Sequence, residues 1–176
     1  MPPVALLDPA LIDTSRVLVD QEGIRAKNPQ RFEMEQLTAI VYLDGERHII
    51  AGYKDIGTDE FWIRGHMPGF PLMPGVLLCE AAAQLASFYT HSQDLLPEGC
   101  FMGFAGMEEV RFRGQVKPGD RLVLVGQAVK LSRRQSIFET QGFVNGDMVF
   151  QARILGIAIH GQVNATPKTA ASASAS

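Results

Sequence analysis

Val76-Leu77-Leu78-Cys79-Glu80-Ala81-Ala82-Ala83-Gln84-Leu85-Ala86-Ser87-Phe88-Tyr89 is the segment around which the rest of the chain has to arrange itself. It is rich in Leu and Ala, free of Gly and Pro, and runs on to His91-Ser92-Gln93-Asp94. That predicts a helix of about 16 residues, or roughly 24 Å. Apolar side chains point in nearly every direction around its axis, so the helix has to be buried, inside a core or against another subunit. Glu80 and Gln84 are the exceptions that matter, four residues apart and hence a turn from each other on one face. A carboxylate on a buried helix is costly unless paired or used. Taken alone, Glu80 is equally well explained as the acceptor for a loop amide.

The residues just upstream narrow that choice. Arg64-Gly65-His66-Met67-Pro68-Gly69-Phe70-Pro71-Leu72-Met73-Pro74-Gly75 holds three prolines and three glycines. Such a loop is stiff at its prolines and open to close backbone approach at its glycines. Pro74 and Gly75 fall where the helix should start, and there free N–H groups and the helix dipole can polarise a carbonyl oxygen. His66, the helix start and Glu80 thus put a base, an oxyanion donor and an acid in one region.

Strands flank this unit on both sides. Residues Gln36 to Leu43 and Arg47 to Lys54 are strand-like and joined by Asp44-Gly45, a hairpin signal. After the helix, Glu109 to Val116 alternates apolar Val110, Phe112 and Val116 with polar neighbours, a half-buried strand. Lys117-Pro118-Gly119-Asp120 suits a type II turn. Strands follow over Arg121 to Leu131, Gln135 to Val144 and Asp147 to His160, with turns at Ser132-Arg133-Arg134 and Asn145-Gly146. The class is α+β, an antiparallel sheet curled around one long central helix. Nearer the N-terminus, Asp13-Thr14-Ser15 resembles a helix N-cap before Arg16-Val17-Leu18-Val19, predicting a short helix ending near Gly23 or Asn28-Pro29.

The chain has 176 residues, 46% hydrophobic and 20% charged, which suits one globular domain at residues 28–160. Residues 1–27 read as an N-terminal extension, and 161–176, ending Ala-Ser-Ala-Ser-Ala-Ser, as a loose tail. The N-terminus lacks a basic region and the apolar segment is too short and too polar for a bilayer crossing. Cys79 and Cys100 make no disulfide framework. A soluble cytoplasmic protein is expected. The net charge of −3 argues against general nucleic-acid binding. Yet Arg111, Arg113, Lys117, Arg121, Lys130, Arg133 and Arg134 lie close together in sequence with only Asp120 among them, a solvated basic face or a dock for an acidic partner. His48, His91 and His160 are scattered and no third ligand accompanies His66 and Glu80, so no metal site is expected. Cys79 reads as packing.

The stretch from Gly65 to Gln84 resembles the G-H-F-P-G-x-P-x-M-P-G-V-L-x-x-E-A-x-A-Q signature of the 3-hydroxyacyl-acyl-carrier-protein dehydratases. It is similar to the FabZ type; the FabA type has Asp where this chain has Glu80. The resemblance extends upstream through Ile50 to Thr58 and downstream through Val110-Arg111-Phe112-Arg113 and the Pro118-Gly119-Asp120 turn, covering about residues 28 to 158. Two departures stand out. Met67 replaces a Phe, and Pro29-Gln30-Arg31-Phe32-Glu33-Met34 stands where the family has P-H-R-Y-P-F, whose Tyr gates the acyl tunnel.

The resemblance implies the hot-dog fold, with subunits paired into homodimers through a continuous sheet and often three dimers to a hexamer. It implies loss of water from (3R)-3-hydroxyacyl thioesters, giving trans-2-enoyl thioesters, in fatty acid or lipid A biosynthesis, with no cofactor. His66 is then the base at C2 and Glu80 of the partner subunit the acid at the 3-hydroxyl. Gly75, helped by Gly69, is the oxyanion donor, and Gln84 the support of Glu80. Phe61, Trp62, Met73, Leu77, Phe101, Met102 and Phe104 are candidates for an acyl tunnel. Arg111, Arg113, Lys117, Arg133 and Arg134 are candidates for docking the acidic acyl carrier protein. A hot-dog thioesterase and a non-catalytic acyl or carrier-protein binding module are the alternatives.

Overall fold

The computed structural model describes residues 4–161. Six strands, β1 (Ala39–Asp44), β2 (Ile49–Asp55), β3 (Cys100–Phe112), β4 (Arg121–Leu131), β5 (Gln135–Val144) and β6 (Asp147–His160), form one antiparallel sheet in the order β1-β2-β4-β5-β6-β3. The sheet wraps α2 (Gly75–Ser92), which packs on β2 to β6. Ala81, Ala82 and Leu85 are fully covered, and Phe88 and Tyr89 nearly so. The near-complete apolar girth of the helix is therefore used, since strands curve past it on several sides.

Period-two alternation divides the sheet into two apolar faces. Ile40, Ile50, Leu122, Leu124 and Phe138 turn inward to the helix cluster, while Val41, Ala51, Tyr53, Val125 and Phe143 belong to a second, outer cluster. The N-terminal extension covers that outer face. Leu7 and Ile12 are buried in the outer cluster. Gln141 holds the strap from both sides, its Oε1 accepting from Leu6 N at 2.8 Å and its Nε2 donating to Val4 O at 2.9 Å.

Several expectations need correction. No helix covers Arg16–Val19; the short helix α1 is Gln21–Arg25, capped by Asp20, whose side chain accepts from Gly23 N at 2.9 Å. Asp13 instead closes a local turn with Ser15, and Val19 bridges to Ile40, so pairing with the sheet edge overrides the helix signal. The hairpin at Asp44-Gly45 has a four-residue loop, Gly45 to His48, with β1 starting at Ala39 and β2 at Ile49. The strand expected at Glu109–Val116 is the end of a longer β3 that begins at Cys100 and stops at Phe112. Register shifts at Phe104/Gly106 and Glu108/Arg111 break its alternation, and Glu109 sits at φ 52° in the second. Each bulge resets which face the side chains take, so a simple period-two pattern shows only at the strand's end. β4, β5 and β6 coincide with their expected spans, and Asn145 and Gly146 both have positive φ, as a type I′ turn demands. Apart from Gly161, the expected tail lies outside the described residues.

Candidate active site

The loop between β2 and α2 is anchored at three points. Lys54 Nζ and the Glu60 carboxylate meet at 2.9 Å, both largely shielded from solvent. Trp62 lies in the core, and Met73 N donates to Val116 O at 2.8 Å. Between these anchors Met67-Pro68-Gly69-Phe70 makes a tight turn, closed by Phe70 N on Met67 O at 2.9 Å, with Gly69 at φ 79°. Pro followed by a residue at positive φ is the type II arrangement, and the second of those positions calls for Gly.

His66 is fixed by reciprocal bonds to one residue. Its carbonyl accepts from Leu72 N at 2.9 Å, and its ring Nδ1 lies 2.9 Å from Leu72 O. A carbonyl oxygen only accepts, so Nδ1 carries the hydrogen and Nε2 is the nitrogen that can hold a lone pair. A backbone carbonyl thus selects the tautomer that a general base needs.

At the helix start, Pro74 is the N-cap and no side chain caps the first turn. Leu77 N donates to Pro74 O at 2.9 Å, which leaves the Gly75 and Val76 N–H groups as donors for an external oxygen. Gly75 is required by close approach: a Cβ on it would stand 2.7–3.0 Å from the Phe112 ring. Phe112 in turn stacks on Phe150. Gly69 occupies open space at the turn tip.

One turn into α2, Glu80 Oε1 accepts from Gln84 Nε2 at 2.7 Å. Gln84 is 2% exposed and its amide is also bonded to the segment before β1, with Oε1 accepting from Gln36 N at 2.9 Å and Nε2 donating to Met34 O at 2.6 Å. Its carbonyl receives Asn28 Nδ2 at 2.9 Å. Gln84 therefore ties α2 to residues 28–36 and aims the Glu80 carboxylate. Within one chain His66 and Glu80 have separate hydrogen-bond partners, Leu72 and Gln84.

Glu80 lines a cleft of about 40 Å³ between α2 and the far half of the sheet, with Ala83, Ala86, Met102, Phe104 and Gly156 among its walls. This volume is room for a few water-sized groups. Of the seven tunnel candidates, Met102 and Phe104 line the cleft; Trp62, Met73 and Leu77 lie in the helix cluster, Phe101 is half-buried and Phe61 exposed. Gln30, Ser87 and Ser136, which line it as well, were not anticipated. Gln30 carried a signal, since it stands in the segment that departs from the dehydratase pattern.

The five basic candidates divide into two groups. Arg111, Arg113 and Lys117 lie near the helix start, where Arg113 bonds Gln151 Oε1 and Lys117 Nζ sits 5.1 Å from the Phe70 ring centroid. Arg133 and Arg134 are at the β4–β5 turn, beside the opposite end of β6, because Gln135 pairs with Ile157 whereas Arg111 pairs with Gln151. Cys79 is buried in the helix cluster, which pushes its thiol above the ordinary range, away from reactivity. Among the described residues no cluster of three metal-binding side chains occurs and no helix is long and apolar enough to cross a membrane.

A six-stranded antiparallel sheet closed around one long helix, with a histidine loop leading into that helix and a carboxylate in a cleft on its flank, defines a hot-dog protein. Solved structures share this architecture. The dehydratase heterocomplex ApeI:P from Xenorhabdus doucetiae superposes with a TM-score of 0.66 at 13% identity, over 78% of this chain and 91% of that one. Cj0977, a sigma28-regulated virulence protein of Campylobacter jejuni, gives 0.58 at 16% identity, over 81% and 94%. A hypothetical thioesterase with coenzyme A from Streptococcus pneumoniae gives 0.52 at 12% identity, over 70% and 86%. At these identities the likeness is one of fold. Sequence goes further: residues 28–153 match the FabA-like domain. Over 140 residues the chain is 34% identical to the 3-hydroxyacyl-[acyl-carrier-protein] dehydratase FabZ of Desulfotalea psychrophila, covering 78% of this chain and 91% of that one. The chain belongs to the FabA-like family.

Proposed function

We propose that this protein dehydrates (3R)-3-hydroxyacyl thioesters of acyl carrier protein to trans-2-enoyl thioesters in fatty acid biosynthesis. The observation that carries the reading is the Leu72 carbonyl holding Nδ1–H of His66, which leaves Nε2 as the base. His66 Nε2 takes the C2 proton while the first-turn N–H of Gly75 stabilises the enolate-like thioester oxygen. Glu80, aimed by Gln84, delivers a proton to the 3-hydroxyl, which leaves as water. The reverse hydration uses the same groups.

The active unit is a homodimer in which His66 of one subunit works with Glu80 of the other. Two features support this. The 13-residue β3 is an edge strand of the sheet, with Phe104, Met107 and Phe112 exposed on it. Met67, Phe70 and Val76 are exposed beside His66 and the helix start. A long edge strand with apolar side chains is a template for pairing with a second chain. Arg111, Arg113 and Lys117 near the helix start are the docking group for the acidic carrier protein, steering its approach.

The test is hydration of a crotonyl thioester, followed as loss of enoyl absorbance without release of free thiol. His66→Ala and Glu80→Ala should each lower turnover roughly 10² or more. Co-expressed, the two inactive chains should regain activity, because a mixed dimer contains one site with both residues intact. Thiol release would indicate a thioesterase, and no recovery in the mixed dimer would place both groups in one subunit.

A further inference from the structure

Four buried side-chain polar atoms find no hydrogen-bond partner among the described residues: Asn28 Oδ1, Gln30 Oε1, Gln36 Oε1 and Trp62 Nε1. Of these residues, only Gln30 lines the cleft that holds Glu80. It also lines a smaller cavity beside Asn28, Glu35 and Gln84, so the residue borders both spaces. Its backbone is pinned, because the Arg31 guanidinium donates to the carbonyls of Gln30 at 2.6 Å, Asn28 at 2.8 Å and Arg25 at 3.0 Å. The Gln30 side chain makes no hydrogen bond among the described residues, and its last torsion is soft. An acceptor left unmet inside a protein is a cost that a bound donor removes.

Resting on the dehydratase reading above, we propose that the Gln30 amide oxygen accepts a hydrogen bond from the substrate's 3-hydroxyl. A hydroxyl has one hydrogen and two lone pairs. With its hydrogen committed to Gln30, a lone pair faces the proton on Glu80. The C3–O bond then breaks with both electrons going to oxygen. The oxygen leaves as water carrying its own hydrogen and the one from Glu80. The electrons of the C2–H bond become the new C2–C3 π bond, and that proton goes to His66 Nε2. The enoyl product has no hydroxyl, so it gains nothing from Gln30, which makes this residue a discriminator between substrate and product.

Two measurements keep the readings apart. Turnover of the wild-type protein with a crotonyl thioester tests the dehydratase function by itself. Affinity is then measured in the His66→Ala background, where ligands are not converted, for 3-hydroxybutyryl-pantetheine and crotonyl-pantetheine. Gln30→Met, similar in shape but unable to accept strongly, should weaken 3-hydroxybutyryl binding roughly five- to tenfold and leave crotonyl binding unchanged. Equal losses for both ligands would make Gln30 a packing residue, and no loss for either would remove it from recognition. Gln30→Ala is read the same way if the Met variant does not fold; failure of both to fold would also overturn the proposal.

Discussion

Gln84 shows how much one side chain can organise. Its amide meets Gln36 N, Met34 O and the Glu80 carboxylate, so it links the helix to the segment ahead of β1 while orienting the acid. Gln84→Leu keeps the bulk but strands the buried Gln36 N–H and the partly buried Met34 C=O. Stability should fall by roughly 1–3 kcal/mol, read as a lower urea midpoint at unchanged slope. Turnover should fall too, because Glu80 loses its donor. An unchanged midpoint would mean those backbone groups find other partners. The pairing of Glu80 with Gln84 was legible from their four-residue spacing. The role of Leu72 was not, because it acts through a carbonyl, and every residue has one.

At the level of elements, the N-terminal strap is the part whose purpose the pattern of residues left open. Asp-Thr-Ser before an apolar run signals a helix, but the backbone of Leu18 and Val19 is taken by Ile40 at the edge of β1. Ahead of them, Leu7 and Ile12 close the outer face of the sheet over Tyr53, Val125 and Phe143. Burying an aliphatic side chain contributes about 1.5–3 kcal/mol. Deleting residues 1–12 should therefore lower the denaturation midpoint and expose an apolar sheet face. Light scattering should show association beyond the parent's oligomeric state, and a truncated protein as stable and no more associated would refute a covering role. The β4–β5–β6 meander, by contrast, was readable to the residue, since tight turns with distinctive chemistry mark the strand ends.

For the molecule as a whole, acid is expected to act in two separate windows. Burial holds the His91 imidazole below its ordinary value near 6.5, with Nδ1 donating to Ser87 O at 2.9 Å. The unfolded chain then binds that proton first, so stability is lost as pH falls below about 6.5. Glu35 is held below the ordinary 4.5, chiefly by its hydrogen bonds to Arg25. Its contribution is present above that value and is lost on further acidification. Thermal melts between pH 8 and 5 should decline, and His91→Asn should flatten this upper window while sparing the lower. An unaltered profile in the variant would assign the decline to other groups.

The local patterns were enough to determine the class of fold, the central helix, five of the six strands, with the ends of β1 and β2 shifted by one to three residues, and the loop-then-helix placement of His66, Gly75 and Glu80. Periodicity, turn chemistry and helix-start geometry are short-range properties, written in neighbouring residues. Tertiary structure decided which sheet face the N-terminal strap covers, where β3 changes phase, that Gln30 stands in the wall of the Glu80 cleft, and that Arg133 and Arg134 lie apart from Arg111. Each of these depends on a pairing register or a contact between residues distant in the chain, and the free energy that selects it arises only when both surfaces meet.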